Sequence, residues 1–171
     1  MKIVNIVATV KLTAPFDLHH IQNSIEGTKK NPKVHWLQLR IPPDNTYIAF
    51  YKSGKFLVTA KSREKLQKNI DIVLNLLKNS GIDIRNAKTE IHNLVINQSI
   101  ELNSTIENLM PALDPKKASY EPEQFPALTY KDWGVCFLLF STGSCIATGA
   151  KNEEQAHYAI QNFQDLLNRC T

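Results

Sequence analysis

Tyr120-Glu-Pro-Glu-Gln-Phe-Pro-Ala-Leu128, followed by Leu138-Leu-Phe-Ser-Thr-Gly-Ser-Cys-Ile-Ala-Thr-Gly-Ala-Lys151, decides the architecture, because both stretches have faded copies earlier in the chain. Asn31-Pro-Lys-Val-His35 answers the first, and Ile48-Ala-Phe-Tyr-Lys-Ser-Gly-Lys-Phe-Leu-Val-Thr-Ala-Lys61 answers the second. Asn5-Ile-Val7 is matched in turn by Asn93-Leu-Val95. Pairing Asn5 with Asn93, Pro32 with Pro122, Gly54 with Gly143 and Lys61 with Lys151 gives offsets of 88, 90, 89 and 90. One offset held along the chain means a duplicated unit, too long for a solenoid repeat of roughly 20–50 residues. We read the copies as 1–88 and 89–171, joined in one continuous domain. Two half-domains related by a pseudo-twofold suit a partner that is nearly twofold itself, and duplex DNA is one.

Each copy reads in the same order. A strand opens it, near 3–12 and 89–99. A short helix follows, Phe16–Ile25 in the first copy and Ser104–Met110 in the second, with Asp17 and Ser104 as N-caps and Ser104 with Glu107 at capping-box spacing. A proline-containing turn then leads into short strands. Thr46–Tyr51 and Lys55–Thr59 are joined by Lys52-Ser-Gly54, and Val135–Phe140 and Ser144–Thr148 by Ser141-Thr-Gly143, which read as tight hairpin turns. Each copy closes with an amphipathic helix. Leu66, Ile70, Val73, Leu74 and Leu77 recur at helical spacing, as do Ala156, Ala159, Ile160, Phe163, Leu166 and Leu167. Ser62 with Glu64 and Lys65 opens the first of these helices and Gly81 stops it; Glu153 and Glu154 suit the positive end of the second. The pattern predicts an α+β domain whose helices share one face of an antiparallel sheet and leave the other free.

Strand alternation sets Asn5 and Val7 on one side, with Ala49 and Tyr51, and with Lys55, Leu57 and Thr59. The second copy supplies Asn93 and Val95, Leu138 and Phe140, and Ser144, Ile146 and Thr148. Small apolar, amide and hydroxyl groups mixed in rows suit a surface that meets something large, smooth and partly polar.

The net charge of +4 conceals an imbalance. Residues 1–88 hold 15 Lys and Arg against 6 Asp and Glu, a balance of +9, whereas residues 89–171 hold 5 against 10, a balance of −5. The two halves are thus able to face partners of opposite charge. Cys136, Cys145 and Cys170 form no metal-ligand spacing, and their odd number fits a reducing compartment. No apolar run approaches the roughly 20 residues of a membrane span, and Met1–Val10 reads as a strand rather than a signal peptide. His19 and His20, adjacent on a helix, point about 100° apart and make poor paired ligands. His92 precedes Asn93 on a strand and is expected to face the opposite way. Neither a Cys–His nor a Ser–His–Asp constellation is suggested, so the chain does not read as an enzyme and implies no cofactor.

The combination resembles the TATA-box-binding protein family over essentially the whole chain. Tyr120-Glu-Pro-Glu-Gln-Phe-Pro-Ala-Leu-Thr-Tyr130 with Leu138-Leu-Phe-Ser-Thr-Gly143 and Ala147-Thr-Gly-Ala-Lys151 is similar to that family's stirrup and its following hairpin. Asn5-Ile-Val-Ala-Thr-Val10, Asn31-Pro-Lys33, Ser53-Gly-Lys55 and Ala60-Lys-Ser62 repeat the resemblance in fainter form, and the pattern looks archaeal. The resemblance implies a pseudo-twofold saddle: a ten-stranded antiparallel sheet, four helices on the convex face, and DNA beneath. It implies a general transcription initiation factor that binds and bends A·T-rich promoter DNA through the minor groove and recruits transcription factor B and RNA polymerase. It would work in an archaeal cytoplasm at the nucleoid, or in the nucleus of a eukaryote. Asn5 and Asn93 fall where the family hydrogen-bonds minor-groove acceptors, flanked by Thr59 and Thr148. Val7, Val95, Leu57, Ile146, Ala49 and Leu138 match apolar groove positions. Arg40, Lys55 and Lys131 match phosphate-contacting positions, with Ser144 in place of a further lysine; Ser53 and Thr142, in the hairpin turns, are grouped with them. Phe125 and Phe140 match two of four wedges that pry base steps apart; minor-groove kinking by this family is a standard example of such bending. Glu121, Glu123 and Gln124 lie on the stirrup that docks transcription factor B.

The first copy departs from the pattern. Asn31–Arg40 is one residue short, so His35, or Val34 if the gap falls elsewhere, stands in the phenylalanine position. Tyr51, with Phe50 beside it, stands at the other wedge. Thr59-Ala-Lys61 lacks the family glycine, so the strand is expected to end or bulge differently. These departures leave a second reading, in which the chain is a diverged paralogue acting as a protein-interaction module or regulator with weak DNA binding. Retention of the Asn, Thr and Val pairs in both copies argues for the DNA reading.

Overall fold

The structure, a computed structural model, describes residues 1–170. Its elements in chain order are β1 (Lys2–Lys11), α1 (Leu18–Ser24), β2 (Lys29–Lys30), β3 (Leu37–Ile41), β4 (Thr46–Phe50), β5 (Lys55–Ala60), α2 (Arg63–Asn79), β6 (Lys88–Ser99), α3 (Ile106–Leu109), β7 (Ala118–Ser119), β8 (Ala127–Asp132), β9 (Val135–Phe140), β10 (Ser144–Ala150) and α4 (Glu153–Arg169). A 3-10 turn, Met110–Ala112, follows α3. The strands make a ten-stranded sheet in the order β2-β3-β4-β5-β1-β6-β10-β9-β8-β7, antiparallel in its registers. Each copy therefore lays down its strands in one pattern, and the fold is α+β as the sequence predicts. Two compact units follow from the packing: Asn5–His92, and Met1–Val4 with the chain from Asn93 onward.

In the Asn5–His92 unit, alternation along β1 buries Ile6, Ala8 and Val10 and leaves Asn5, Val7 and Thr9 on the other face. The same rule buries Phe56 and Val58 of β5, with Leu57 and Thr59 half-exposed. Onto the buried face α2 sets Leu66, Ile70, Val73 and Leu77, each worth about 1.5–3 kcal/mol when removed from water. Phe50 is fully buried between Phe16 and Phe56, at centroid distances of 6.2 and 6.1 Å. That settles the register of β4: Phe50 belongs to the core, and Tyr51 takes the free side. Asp17 caps α1 through His19 and His20 N–H, and Ser62 caps α2 through Lys65 N–H. His20 Nε2 lies 2.8 Å from the Ser80 carbonyl, tying α1 to the end of α2.

The unit built from Asn93 onward repeats this with different side chains. Leu94 and Ile96 of β6 are buried, as are Phe137 and Leu139 of β9 and Cys145 and Ala147 of β10. Here α4 contributes Ala156, Ala159, Phe163 and Leu167. Phe163 stacks on Phe137 at 4.3 Å and on Tyr130 at 5.1 Å. The short helix is less than expected: only Ile106–Leu109 is α-helical, and Thr105 rather than Ser104 caps it, accepting from Asn108 N–H. Pro111 lacks an N–H and hands the chain to the 3-10 turn.

Both hairpin turns close identically. Gly54 N–H donates to the Tyr51 carbonyl at 3.1 Å and Gly143 N–H to the Phe140 carbonyl at 2.9 Å, with φ of 88° and 86°. Leu12 and Ile100 N–H then bond the carbonyls of Gly54 and Gly143. A Cβ at either glycine would run into the Ala14 or Ile100 carbonyl, so glycine is required on two counts. The other hairpins differ. β8 and β9 are joined by Trp133-Gly134, both at positive φ and opposite a closed Asp132–Val135 pair, the two-residue turn that fits strand twist. β3 and β4 need Pro42–Asn45.

Candidate nucleic-acid interface

Beyond the packed core, each unit keeps one sheet face clear of its own helices. Val7 and Thr59 face each other in register, as do Ala49 and Leu57. The matching pairs in the second unit are Val95 with Thr148 and Leu138 with Ile146. Val7, Leu57, Thr59, Val95, Leu138, Ile146 and Thr148 are half-exposed. Ala49 is in the row but has no exposed surface. Its methyl lies between Gln38 and Leu57 across the sheet and is outreached by both. Leu138, its counterpart, lies between Thr129 and Ile146 and keeps surface because its side chain is longer.

The aromatic end of the second row is Phe125 with Phe140, in edge contact at 6.3 Å. Phe125 remains 45% exposed. Its backbone is set by N–H bonds from Phe125 and Gln124 to the Glu121 carbonyl, and Glu121, Glu123 and Gln124 are exposed on the same turn. With half-exposed Phe140 beside it, this ring gives the end of the row a pair of apolar rings open to a ligand.

In the first row the ring against Tyr51 is Trp36, at 5.7 Å, and not His35, which is exposed. Neither His35 nor Val34 takes the place opposite Tyr51; with one residue fewer before β3, the next ring along the chain does. Trp36 Nε1–H donates to Tyr47 Oη at 2.7 Å, and the Arg40 guanidinium lies over the Tyr47 ring at 4.8 Å while its Nη1 donates to the Asn45 carbonyl. Burial, with Tyr47 adding to it, pushes the Tyr51 phenol up, so it stays a neutral hydrogen-bonding group at physiological pH. Tyr47 and Trp36 were missed in the sequence. The signal that could have found them is alternation: Tyr47, Ala49 and Tyr51 share one side of β4. Where Arg40 pairs with Tyr47 in register, Lys131 pairs with Cys136 in the second unit. Lys131, Ser53, Thr142 and Ser144 are exposed and Lys55 is half-exposed.

The two asparagines differ more than their sequence context suggests. β10 breaks register between Thr148 and Ala150, and the extra residue, Gly149, has φ of 109°. Its N–H donates to Asn93 Oδ1 at 2.6 Å, while Asn93 Nδ2 donates to Thr148 Oγ1 at 3.2 Å. In β5 nothing matches Gly149: Ala60, opposite Ile6, stands where Ala150 stands opposite Leu94, and the ladder runs straight from Lys55 to Ala60 opposite β1. The strand does differ at the missing glycine: it has no bulge. Among the described residues the Asn5 amide makes no side-chain hydrogen bond. It borders a polar cavity of about 110 Å³ shared with Arg40, Thr46, Thr59 and Lys61. His92 also departs from expectation, since its Nε2 lies 2.7 Å from Thr9 Oγ1 on the free row.

Comparison with known proteins fits this geometry. The family model described as transcription factor TFIID, or TATA-binding protein, matches residues 1–80 and again 88–170. The chain belongs to the TATA-binding protein family. It is 34% identical to the TATA-box-binding protein of Sulfurisphaera tokodaii, over 98% of this chain and 86% of that one. It is 36% identical to that of Pyrodictium occultum, over 98% and 85%. The solved structure of the Methanococcus jannaschii TATA-binding protein superposes with a TM-score of 0.85 at 32% identity, covering 98% of both chains. Membership makes the chain a transcription initiation factor rather than an enzyme. Among the described residues no helix is long and apolar enough to cross a membrane.

Proposed function

We propose that this protein binds A·T-rich promoter DNA with the free sheet face, enters the minor groove, bends the duplex, and recruits transcription factor B and RNA polymerase. The reading is carried by the Asn93, Thr148, Val95 and Ile146 row ending in an exposed Phe125 braced against Phe140. A·T pairs show only acceptors in the minor groove, whereas G·C adds a donor. A row of apolar groups with a donating amide therefore fits A·T. The repeats 1–88 and 89–171 each offer one such row, and Arg40, Lys55, Lys131 and the hairpin hydroxyls of Ser53 and Thr142 serve the phosphates. Glu121, Glu123 and Gln124 give transcription factor B an acidic docking turn. Such a role places the chain on chromosomal DNA, at the nucleoid of an archaeal cell.

The test is a salt titration of binding to an A·T-rich duplex beside a G·C-rich control. Steep loss of affinity with salt, together with preference for the A·T-rich duplex, is expected. Equal binding to both, or a flat salt response, would leave the interaction-module reading as the better one.

A further inference from the structure

Resting on that reading, we infer that the two halves read base pairs by different rules: the Asn93 half demands A·T, and the Asn5 half accepts A·T and G·C alike. The difference lies in what holds each carboxamide. An asparagine side chain presents a donor on one edge and an acceptor on the other, and turning it over exchanges them. The torsion that does so is soft. For Asn93 the choice is removed by the backbone. Gly149 N–H can only donate, and at 2.6 Å it requires Oδ1 in front of it. Thr148 Oγ1, 3.2 Å from Nδ2 and 3.3 Å from Oδ1, fits either edge, and Nδ2 is then the edge left for a ligand. An amide fixed with its donor outward satisfies adenine N3 or thymine O2 and opposes the guanine N2 amine, donor against donor.

Asn5 has no such constraint. Ala60 continues the ladder opposite Ile6 instead of bulging, and no backbone N–H is turned toward the Asn5 amide. The neighbouring cavity, about 110 Å³, gives the carboxamide room to turn. Presented with A·T it can donate through Nδ2; presented with G·C it can turn over and accept from guanine N2–H through Oδ1. The bulge depends on glycine, since φ at Gly149 is 109° and an added Cβ would lie 3.0 Å from the Gly134 carbonyl. The absence of a glycine between Thr59 and Ala60 is thus a change in base reading as well as in backbone. A promoter element recognised in this way is directional, strict on one side and permissive on the other.

Two measurements on the full chain test this. In the first, each A·T pair of an A·T-rich duplex is replaced singly by G·C, and separately by inosine·C, whose minor groove lacks the amine. On the strict side G·C is expected to weaken binding about tenfold or more, within the usual cost of one wrong pair, while inosine·C binds as A·T does. On the permissive side G·C is expected to cost less than about threefold. Asn93→Ala should bring the G·C penalty of the strict side down to the permissive level, and Asn5→Ala should weaken binding overall while leaving the ratio of G·C to A·T affinity on the strict side as it was. In the second, nitrogen relaxation of the side-chain amides in the free protein should find Asn93 rigid and Asn5 mobile, a readout independent of DNA. A symmetric profile, a strict side that survives Asn93→Ala, or two equally rigid amides would overturn the inference while leaving A·T preference intact. Absence of any A·T preference would overturn the proposed function and this inference together.

Discussion

Trp36 and Phe125 stand at matching ends of the two free rows, each against an aromatic ring at the next hairpin, and they are held in opposite ways. Phe125 touches Phe140 and keeps 45% of its surface exposed. Trp36 is tied by its indole N–H to Tyr47, and Arg40 covers the Tyr47 ring. The closing helices behind these rows differ as well: α4 sets Phe163 in a stack with Tyr130 and Phe137, whereas α2 supplies only aliphatic side chains to a core whose rings, Phe16, Phe50 and Phe56, lie outside the helix. Strand order, hairpin glycines and the Asn, Val and Thr pairs of the free rows are kept in both halves, whereas the aromatic ends of the rows and the hold on each asparagine have changed. The repeat is preserved through the middle of each row and has diverged at its ends and in its support.

The largest expected effect breaks the comparison in the core. Phe163 and Val73 occupy corresponding places on α4 and α2, both fully buried. Phe163→Ala removes a ring stacked on two others and should cost about 3–5 kcal/mol. Val73→Ala removes two methyl groups' worth of contact and should cost about 2 kcal/mol. Denaturant midpoints of the two variants check this, and equal losses would show that the site of Phe163 collapses on truncation and that the aromatic stack does not hold the second core.

Bending comes next. Unstacking a base step costs a few kcal/mol and needs an apolar ring to replace the lost contacts. Phe125 is free to supply one, whereas Trp36 must carry or give up its bond to Tyr47. Phe125→Ala should therefore reduce the bend, read by energy transfer between dyes on the duplex ends, more than Trp36→Ala does. Tyr47→Phe, which frees the indole, should increase it. Equal losses from the two alanine variants would mean that the halves insert alike.

How much of this was legible follows from what each feature depends on. The closing helices, the hairpin glycines and the alternation of β1, β6, β9 and β10 depend on local pattern, and they read directly from the sequence. The first-half wedge depends on where a single missing residue is absorbed. Sequence alone set His35 or Val34 there, and the structure brings in Trp36 because β3 begins at Leu37 with its partner Phe50 already fixed in the core. The burial of Ala49 depends on the length of its cross-strand neighbours, which alternation does not report. The Asn93 clamp depends on a bulge, and there the glycine missing between Thr59 and Ala60 was a usable sign, since the strand without it has no extra residue to bulge. Cap position shifted by one residue in the short helix because Ser104 and Thr105 offer the same chemistry.

Phosphate contacts are expected to matter less per residue and to differ little between halves. Lys55→Ala and Lys131→Ala should each weaken A·T-rich and G·C-rich duplexes alike and lower the salt slope by about 1. The first half carries a balance of +9 and the second −5, so if bulk charge governed binding, Lys131 would be the costlier loss. Equal changes in slope would show that attraction is set by local contacts.

The smallest effect concerns the thiols. Cys145 and Cys136 both lie in the second half, on β10 and β9. Burial pushes the Cys145 thiol up to about 12, so at neutral pH it carries almost no thiolate and should resist alkylation. Cys136 is half-exposed on the free row, opposite Lys131 and Thr148 and in the place that Tyr47 fills in the first half. Without ligand it should alkylate readily. Bound to an A·T-rich duplex it should be protected, because the groove would lie across that row, while Cys170, at the end of α4, should react at an unchanged rate. Mass spectrometry of the labelled peptides reads all three. Protection of Cys170 together with exposure of Cys136 would place the DNA against the helices, and it would overturn the assignment of the free face without touching the fold.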